Sequence, residues 1–447
     1  MSKLPPGPRF APLQTVRFVL DIDGTFQDAA RRHGDPFTLP MVFGNMVVTG
    51  HPDGIKDIFT ADSDTFKAFG SAPLEVIVGA NSMLLISGAR HKRERKLLMP
   101  PFHGDRMRSY GRLMAEATVA RTATFRPGER VVMQPVTQAI AFDVILRAVF
   151  GVEDPARVAR YHEMNNETIA AISPVYMFFP PLRLRALPGW RRFLKAKKNM
   201  DQLLQEQIDE RRRVGGEHQD ILSLMLSARD EAGQPMTDAE LRDELLTMVA
   251  AGHETTALSL AWALFWVHRE RPILERLLAE LDGLGPTPEP EALARLPYLG
   301  AVCDETLRLR PVVSIAPRHT VAPFKLRGWD LPAGTGVAAS IWLAHRNPTT
   351  FPEPEAFRPE RFLLRKFSPF EYLPFGGGAR RCLGAAFATF EMRVVLGTVL
   401  SRCRLSLVER AVPRVVRRNL TLGPEGGIAM IYEGPREQAA ARKANGG

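Results

Sequence analysis

Cysteine is scarce in this sequence, with three among 447 residues: Cys303, Cys382 and Cys403. Three widely spaced cysteines exclude a disulfide framework and a structural zinc site built from paired Cys-x-x-Cys motifs. Such scarcity is typical of proteins in a reducing compartment, and we expect a cytoplasmic protein.

The sequence also lacks an apolar N-terminal segment, internal repeats and a long linker. We therefore expect one domain over residues 1–447, without a signal peptide or transmembrane anchor. Residues 247–267 are apolar enough to suggest a membrane span, but they include Glu254. A carboxylate in mid-membrane costs roughly 3 kcal/mol, so a buried helix of a soluble core is favoured.

Basic residues exceed acidic ones, 59 against 49, which gives a net charge of +10. They are scattered among residues 90–96, 195–198, 211–213 and 414–418 and do not alternate with aromatic residues as in nucleic-acid motifs. We predict no nucleic-acid partner. The excess leaves an anionic membrane surface or an acidic protein as the partner, and we expect a monomer.

Hydrophobic periodicity predicts a fold that is mainly α with small β-sheets. We expect a β-rich part over residues 34–60, a helical core over 88–310 and a loop-rich part over 311–400. Specific predictions are a helix over residues 15–33 and a charged helix over 191–213. Short strands are predicted at 36–40 and 46–49, and a further helix at 385–400.

The most informative segment is Phe-Gly-Gly-Gly-Ala-Arg-Arg-Cys-Leu-Gly, residues 375–384. Its consecutive glycines let the backbone approach a flat partner closely. Two arginines and the start of the next helix favour a thiolate at Cys382, which suits an iron ligand. The alternative is a buried, inert cysteine.

A second segment lies in the middle of a long helix that begins with the capping box Thr237-x-x-Glu240. Gly252 weakens the helix, and the hydroxyl of Thr255 can bond back to a preceding carbonyl, so we expect a break there. Two interpretations remain open. Either Glu254 has a functional role, or the segment is a kinked core helix in which this carboxyl is simply paired.

These two segments resemble signatures of the cytochrome P-450 superfamily, the haem-thiolate monooxygenases. Residues 375–384 match its haem-binding loop, Phe-x-x-Gly-x-Arg-x-Cys-x-Gly, and residues 251–255 match its small-Gly-x-acid-Thr motif. Glu305-x-x-Arg308, followed by Arg361, matches a third signature. The order and spacing agree across residues 88–384.

The resemblance implies a cytochrome P-450 fold, a triangular helical prism whose long central helix lies over haem b. It assigns Cys382 as the axial iron ligand, and Glu254 and Thr255 as the proton relay and the donor to bound dioxygen. His253 is expected to be structural. Further contacts with the haem are implied for Ala251, Gly252, Phe375, Gly376 and Gly384.

The resemblance also implies that four cationic or imidazole side chains reach the haem propionates: His91, Arg95, Arg318 and Arg380. Many members of the superfamily carry tryptophan at about the position of His91. Glu305, Arg308 and Arg361 are expected to form a buried network that supports the cysteine loop.

The implied activity is hydroxylation or epoxidation of a hydrophobic substrate, such as a terpenoid, steroid or fatty acid, with O₂. Electrons would come from ferredoxin and ferredoxin reductase, or from a flavodoxin-type donor, docking near Arg381 and residues 90–96. Pocket walls are expected at residues 66–85, 173–182, 313–316 and 428–430, with Phe178, Val313, Ala316 and Ile428 among them. A peroxygenase or isomerase and a haem sensor are the alternatives, against which the Glu254–Thr255 pair argues.

Overall fold

The computed structural model describes residues 4–69, 71–102, 106–172, 176, 182–184, 186–215, 220–418 and 420–436. The helices are α1 (Ala11–Leu20), α2 (Ile22–His33), α3 (Pro52–Thr60), α4 (Ser71–Val78), α5 (Gly88–Leu98), α6 (Arg106–Thr122), α7 (Met133–Ala148), α8 (Pro155–Ala171), α9 (Pro188–Val214), α10 (Ile221–Ser227), α11 (Asp238–Arg269), α12 (Arg271–Asp282), α13 (Pro290–Arg295), α14 (Pro297–Leu309), α15 (Ile341–Ala344), α16 (Arg361–Leu364) and α17 (Ala385–Arg402).

The strands are β1 (Phe37–Met41), β2 (Gly44–Thr49), β3 (Phe66–Ala68), β4 (Arg130–Val132), β5 (Ile315–Thr320), β6 (Phe324–Leu326), β7 (Trp329–Leu331), β8 (Gly336–Ser340), β9 (Cys403–Leu407), β10 (Val415–Arg418), β11 (Thr421–Pro424) and β12 (Ala429–Pro435). A five-stranded sheet has the order β1-β2-β8-β5-β3, with only β2 and β8 parallel. The other sheets are β4-β12-β9 and the hairpins β6–β7 and β10–β11. The mainly α fold with small sheets is therefore confirmed.

The main core surrounds α11, which packs against α7, α14 and α17. Its start has the predicted capping box: Thr237 accepts from the Glu240 N–H, and the Glu240 carboxyl accepts from the Thr237 N–H. From Leu241 to His268 most of its side chains are buried. Within the described part of the chain, no helix has the length and apolarity needed to cross a membrane. The apolar run at residues 247–267 belongs to this core.

The predicted helix over residues 15–33 is wrong, because two helices occupy this region. Asp21 separates α1 from α2, and its carboxylate accepts a hydrogen bond from the Gly24 N–H at 3.0 Å. This side chain thereby caps the start of α2. The predicted strand pair β1–β2 and the charged helix α9 are present.

The break expected within α11 is also absent, since the helix continues through Gly252 and Thr255. The Thr255 hydroxyl does bond back, donating to the Ala251 carbonyl at 2.7 Å. The neighbouring His253 is buried and its Nδ1 lies 2.6 Å from the Val249 carbonyl, in keeping with a structural role.

Candidate active site

The cysteine loop is closed by its own backbone. The Cys382 N–H donates to the Phe375 carbonyl at 2.9 Å, and the Gly376 N–H donates to the Leu373 carbonyl at 3.0 Å. Gly376 and Gly378 have φ values of 63° and 64°, a conformation that favours glycine. The predicted helix after the loop begins at Ala385 as α17 and extends to Arg402.

Two glycines of this loop are required by its packing on α3. A Cβ on Gly377 would lie 2.1 Å from Cδ2 of Phe59, and one on Gly378 would lie 2.5 Å from the Phe59 carbonyl oxygen. The sequence alone suggests close approach to a flat partner as the reason for these glycines. Protein packing by itself accounts for Gly377 and Gly378.

The local electrostatics do not by themselves make Cys382 a thiolate, contrary to the sequence-based expectation. Although the Cys382 side chain is exposed, the protein atoms packed around it desolvate the sulfur and raise the pKa of the thiol, and the Gly384 N–H, Arg381 and Arg95 oppose this shift only in part. The reason is that a negative sulfur loses part of its hydration among these atoms. A coordinated metal ion deprotonates such a thiol outright. Burial also raises the pKa of Cys303 to about 12 and that of Cys403 to about 11, and neither faces a comparable cationic loop.

A buried ion network supports the loop as expected. Arg308 donates to both carboxylate oxygens of Glu305, at 2.6 and 2.8 Å, and Arg361 donates to the same carboxylate at 3.2 Å. Arg308 also donates to the His345 carbonyl at 2.8 Å. The Leu373 N–H in turn donates to Nε2 of His345 at 3.0 Å. The network therefore reaches the cysteine loop through His345, a link that no sequence motif indicated.

A cluster of cations comes together from α5, β5 and the cysteine loop. Burial, followed by the charges of Arg380, Arg95 and Arg318, lowers the pKa of His91 to about 4. Burial and Arg380 lower the pKa of Arg318 to about 10. Arg380 donates to the Ile86 carbonyl at 2.6 Å. In the ranges that the structure describes, none of these three arginines forms an ion pair with a carboxylate.

The three arginines are half-buried, and cations that are partly desolvated without counter-charges are costly, so the cluster suits a ligand that brings carboxylates. Haem carries two propionates that would supply them. Arg95 also lies near Cys382: burial lowers the pKa of Arg95, and a negative charge on Cys382 acts in the opposite direction. One thiol beside guanidinium groups is the donor set for an iron porphyrin. The residues present therefore fit haem.

The central helix α11 is mostly buried between Leu241 and His268 and becomes more accessible around residues 250–255. Ala251 is exposed, and Gly252, Glu254 and Thr255 are half-buried. This stretch coincides with the second signature. A hydroxyl and a carboxyl are thus the reactive groups of this stretch.

Glu254 contacts a hairpin that the sequence analysis did not single out. Burial raises the pKa of its carboxyl, while a hydrogen bond with Thr421 and the charge of Arg418 act in the opposite direction. Both residues belong to β10–β11. No local pattern in the sequence signalled this long-range contact.

A second buried carboxyl was also missed. Glu391 on α17 is 2% exposed and hydrogen-bonds with Thr256, the neighbour of Thr255. Burial raises its pKa to about 8, and its Oε1 has no partner in the described part of the chain. A glutamate in an apolar helical run could have signalled it, but its partner could not be read from the sequence.

The expected pocket residues have different environments. Val313, just before β5, is 40% exposed, and Ala316 on β5 is 8% exposed. Ile428 is 2% exposed in the main core, where its carbonyl accepts from the Met133 N–H, so it packs in the interior and does not line accessible space. Phe178 lies outside the described residues.

The segment from residue 79 to 83 is fixed to the first half of α11, and we call this contact the seam. The backbone and side-chain amides of Asn81 donate to Asp243 at 3.0 and 2.8 Å, and the Met83 N–H donates to Glu244. Thr247 donates to the Ser82 hydroxyl at 2.7 Å. Part of the expected pocket wall at residues 66–85 is therefore attached to α11.

The cations of α5 are mostly neutralised by nearby carboxylates. Arg93 pairs with Asp230 at 2.6 Å, and Lys96 pairs with Glu231 at 2.7 Å. By contrast, a surface depression of about 520 Å³ beside Cys382 is lined by Arg95, Arg381 and Arg393. The basic surface nearest the thiol is therefore this depression, which we call the proximal depression.

Comparison with known proteins identifies relatives over nearly the whole chain. A profile described as cytochrome P450 matches residues 2–430. The chain is 35% identical to cytochrome P450 135B1 of Mycobacterium tuberculosis over 450 residues, covering 99% of this chain and 94% of that protein. It is 33% identical to cytochrome P450 137 of the same organism, covering 96% and 91%.

Two solved structures share the fold. Retinoic acid bound cyanobacterial CYP120A1 superposes with a TM-score of 0.87 at 25% identity, covering 97% of this chain and all of that one. The haem domain of cytochrome P450DA superposes with a TM-score of 0.86 at 23% identity, covering 97% and 98%. The names of the mycobacterial relatives state no substrate.

Proposed function

The chain belongs to the cytochrome P450 family and is a haem-thiolate monooxygenase, and on that premise we propose that it hydroxylates or epoxidises an apolar substrate with electrons from a ferredoxin. The observation that carries the proposal is the accessible stretch of α11. It presents half-buried Thr255 and Glu254 within a helix that is mostly buried. A haem-thiolate enzyme that dispenses with dioxygen, or a haem sensor, has no need of this acid–hydroxyl pair.

We assign the cofactor contacts as follows. Cys382 holds the iron, Arg95, Arg318 and Arg380 hold the propionates, and neutral His91 donates one N–H to them. When bound, haem supplies the activation of dioxygen and the transfer of one oxygen atom to the substrate.

The acid and the hydroxyl handle protons. Thr255 presents its hydroxyl on the accessible side of α11, and Glu254 exchanges protons between solvent and that hydroxyl. A raised pKa keeps Glu254 able to hold a proton nearer to neutral pH than an exposed carboxyl would. Exclusion of other water from the buried helix limits uncoupled loss of reducing equivalents.

The test is Thr255→Ala, with Thr255→Ser as the matched control. Alanine removes the hydroxyl and should divert electrons from product to hydrogen peroxide, whereas serine keeps the hydroxyl and should retain most coupling. NADH consumption, peroxide and product are measured together. Full coupling in Thr255→Ala would contradict the role of Thr255.

We propose a terpenoid, steroid or fatty-acyl substrate. Support comes from the exposed apolar side chain of Val313 and from the retinoid bound by the structural neighbour. A screen of steroids, sesquiterpenes, retinoic acid and fatty acids should give a low- to high-spin shift of the haem spectrum with at least one class. Shifts only with polar metabolites would contradict the proposal.

The electron donor is proposed to dock at the proximal depression. Arg381 has no ion pair among the described residues, and with Arg393 it borders the thiol loop. Acidic residues of a ferredoxin or flavodoxin would meet these cations. The α5 cations Lys92 and Arg93 are less suitable, since Asp64 and Asp230 already pair with them.

A further inference from the structure

The hairpin β10–β11 runs alongside α11 at Glu254. A Cβ on Gly423 would lie 2.6 Å from Cδ2 of Leu258, while Thr421 hydrogen-bonds with Glu254. Two residues along a strand span about 6.6 Å, and four along a helix span about 6 Å. The spacing of Thr421 and Gly423 therefore matches that of Glu254 and Leu258.

The hairpin is fixed on its other sides as well. The Leu422 N–H donates to the Val312 carbonyl at 2.8 Å. Arg417 donates to the carbonyls of Val19 at 2.7 Å and Phe18 at 3.0 Å. Because three separate parts of the chain hold the hairpin, Glu254 meets a fixed partner surface.

Thr421 has one hydroxyl proton and two possible acceptors. In the structure this proton is donated to the Arg418 carbonyl at 2.9 Å. In that arrangement the hydroxyl can only accept a hydrogen bond, and Glu254 can donate one only while it carries a proton. If Glu254 is ionised, the Thr421 hydroxyl must turn and donate to the carboxylate instead.

Arg418 favours the second arrangement. Its charge acts on Glu254, and its Nε has no hydrogen-bond partner in the part of the chain that is described. Among the described residues Arg418 and Glu254 form no ion pair within 4 Å, so this buried donor without an acceptor would pair with the ionised carboxylate by a turn of the side chains. The hairpin therefore offers one partner to each protonation state of Glu254.

We propose that Thr421 and Arg418 are positioning residues for Glu254, holding its carboxyl in both protonation states and setting when it gives up its proton. The inference rests on the proposed relay role of Glu254. It adds an element distant in sequence to the machinery that controls proton delivery.

The experiment is an infrared pH titration of the haem-loaded protein. The carboxyl stretching band of Glu254 is the one that Glu254→Gln removes, and its disappearance with pH gives the midpoint of ionisation. Arg418→Gln should raise this midpoint by about one pH unit or more, since a neighbouring cation favours the charged carboxylate. Thr421→Val should raise it less, and Arg418→Lys should restore most of the shift.

Arg417→Gln is the matched control, because it removes the same charge from the adjacent position, whose guanidinium bonds to α1 carbonyls. Its midpoint should stay at the wild-type value. Equal midpoints in Arg418→Gln, Thr421→Val and Arg417→Gln would overturn the proposal. The solvent isotope effect on product formation should change in Arg418→Gln but not in Arg417→Gln, and no difference between them would also overturn it.

The relay role is tested separately by Glu254→Gln. An unchanged rate and solvent isotope effect in that variant would remove Glu254 from proton delivery, and the positioning proposal with it. A changed isotope effect in Glu254→Gln, with no response to Arg418 or Thr421 substitution, would leave the relay intact and refute positioning alone.

Discussion

Replacing Gly377 with alanine should destabilise the protein through a clash that a second substitution relieves. The added carbon would lie 2.1 Å from the Phe59 ring, far inside contact distance. The ring must move by more than an ångström, and such overpacking costs about 1–3 kcal/mol. Phe59→Leu shortens the obstructing side chain. Gly377→Ala should therefore cost much less stability in the Phe59→Leu background than in the wild-type protein.

Gly378→Ala supplies the contrast. Its added carbon would meet the Phe59 carbonyl oxygen at 2.5 Å, and its φ of 64° adds a backbone penalty. This left-handed conformation costs about 1–2 kcal/mol. Overlap with a backbone atom adds a similar amount, for a total of about 2–5 kcal/mol. Phe59→Leu should give no relief, because the obstructing atom belongs to the main chain.

Urea unfolding of the haem-loaded variants, followed by far-ultraviolet circular dichroism and by the Soret band, measures both cycles. We expect a favourable coupling of about 1–3 kcal/mol between Gly377→Ala and Phe59→Leu, and almost none for Gly378→Ala. Absence of coupling at Gly377 would refute packing on α3 as the reason for this glycine. Loss of the Soret band with unchanged protein stability would instead favour close approach to the cofactor.

Cys382→Ser should abolish the thiolate-specific, red-shifted Soret band of the ferrous CO complex, and persistence of that band would show that another residue ligates the iron. Glu391→Gln should be more stabilising at pH 7 than at pH 5. Because the folded-state pKa of Glu391 is raised from 4.5 to about 8, this carboxyl destabilises the folded protein increasingly as pH rises between these values. The destabilisation reaches roughly 3 kcal/mol at pH 7, and glutamine removes it. Urea unfolding of both proteins at the two pH values checks this, and a difference independent of pH would contradict it. Arg381→Glu should slow reduction by a ferredoxin and weaken its salt dependence; stopped-flow reduction that is no slower than in Arg93→Glu would argue against docking at the proximal depression.

Residue spacing predicted the parts of the site that lie close together in sequence. Cys382 and its loop, the Thr237 capping box and the Glu305–Arg308 pair each depend on contacts within about ten residues. Arg318 is different, because its approach to Arg380 depends on the pairing of β5 in a sheet. Only the family resemblance indicated it.

The remaining features depend on competition between distant groups. Sequence indicated that arginines and a helix start favour a thiolate at Cys382, but desolvation by the surrounding protein outweighs them, although the side chain is exposed. The glycines pointed to a flat ligand, yet Phe59, more than 300 residues earlier, already requires two of them. The hairpin partners of Glu254, which are Arg418 and Thr421, lie outside every motif and more than 160 residues after Glu254.

The seam between residues 79–83 and α11 has a consequence for how the protein opens. Separating the two segments would break four hydrogen bonds, three of them to the carboxyl groups of Asp243 and Glu244. Opening at this point should therefore be rare compared with opening where fewer buried polar contacts hold the chain. The amide hydrogens of Asn81 and Met83 should exchange slowly with solvent deuterium, and their exchange rates would report on the rigidity of this side of the pocket during substrate binding.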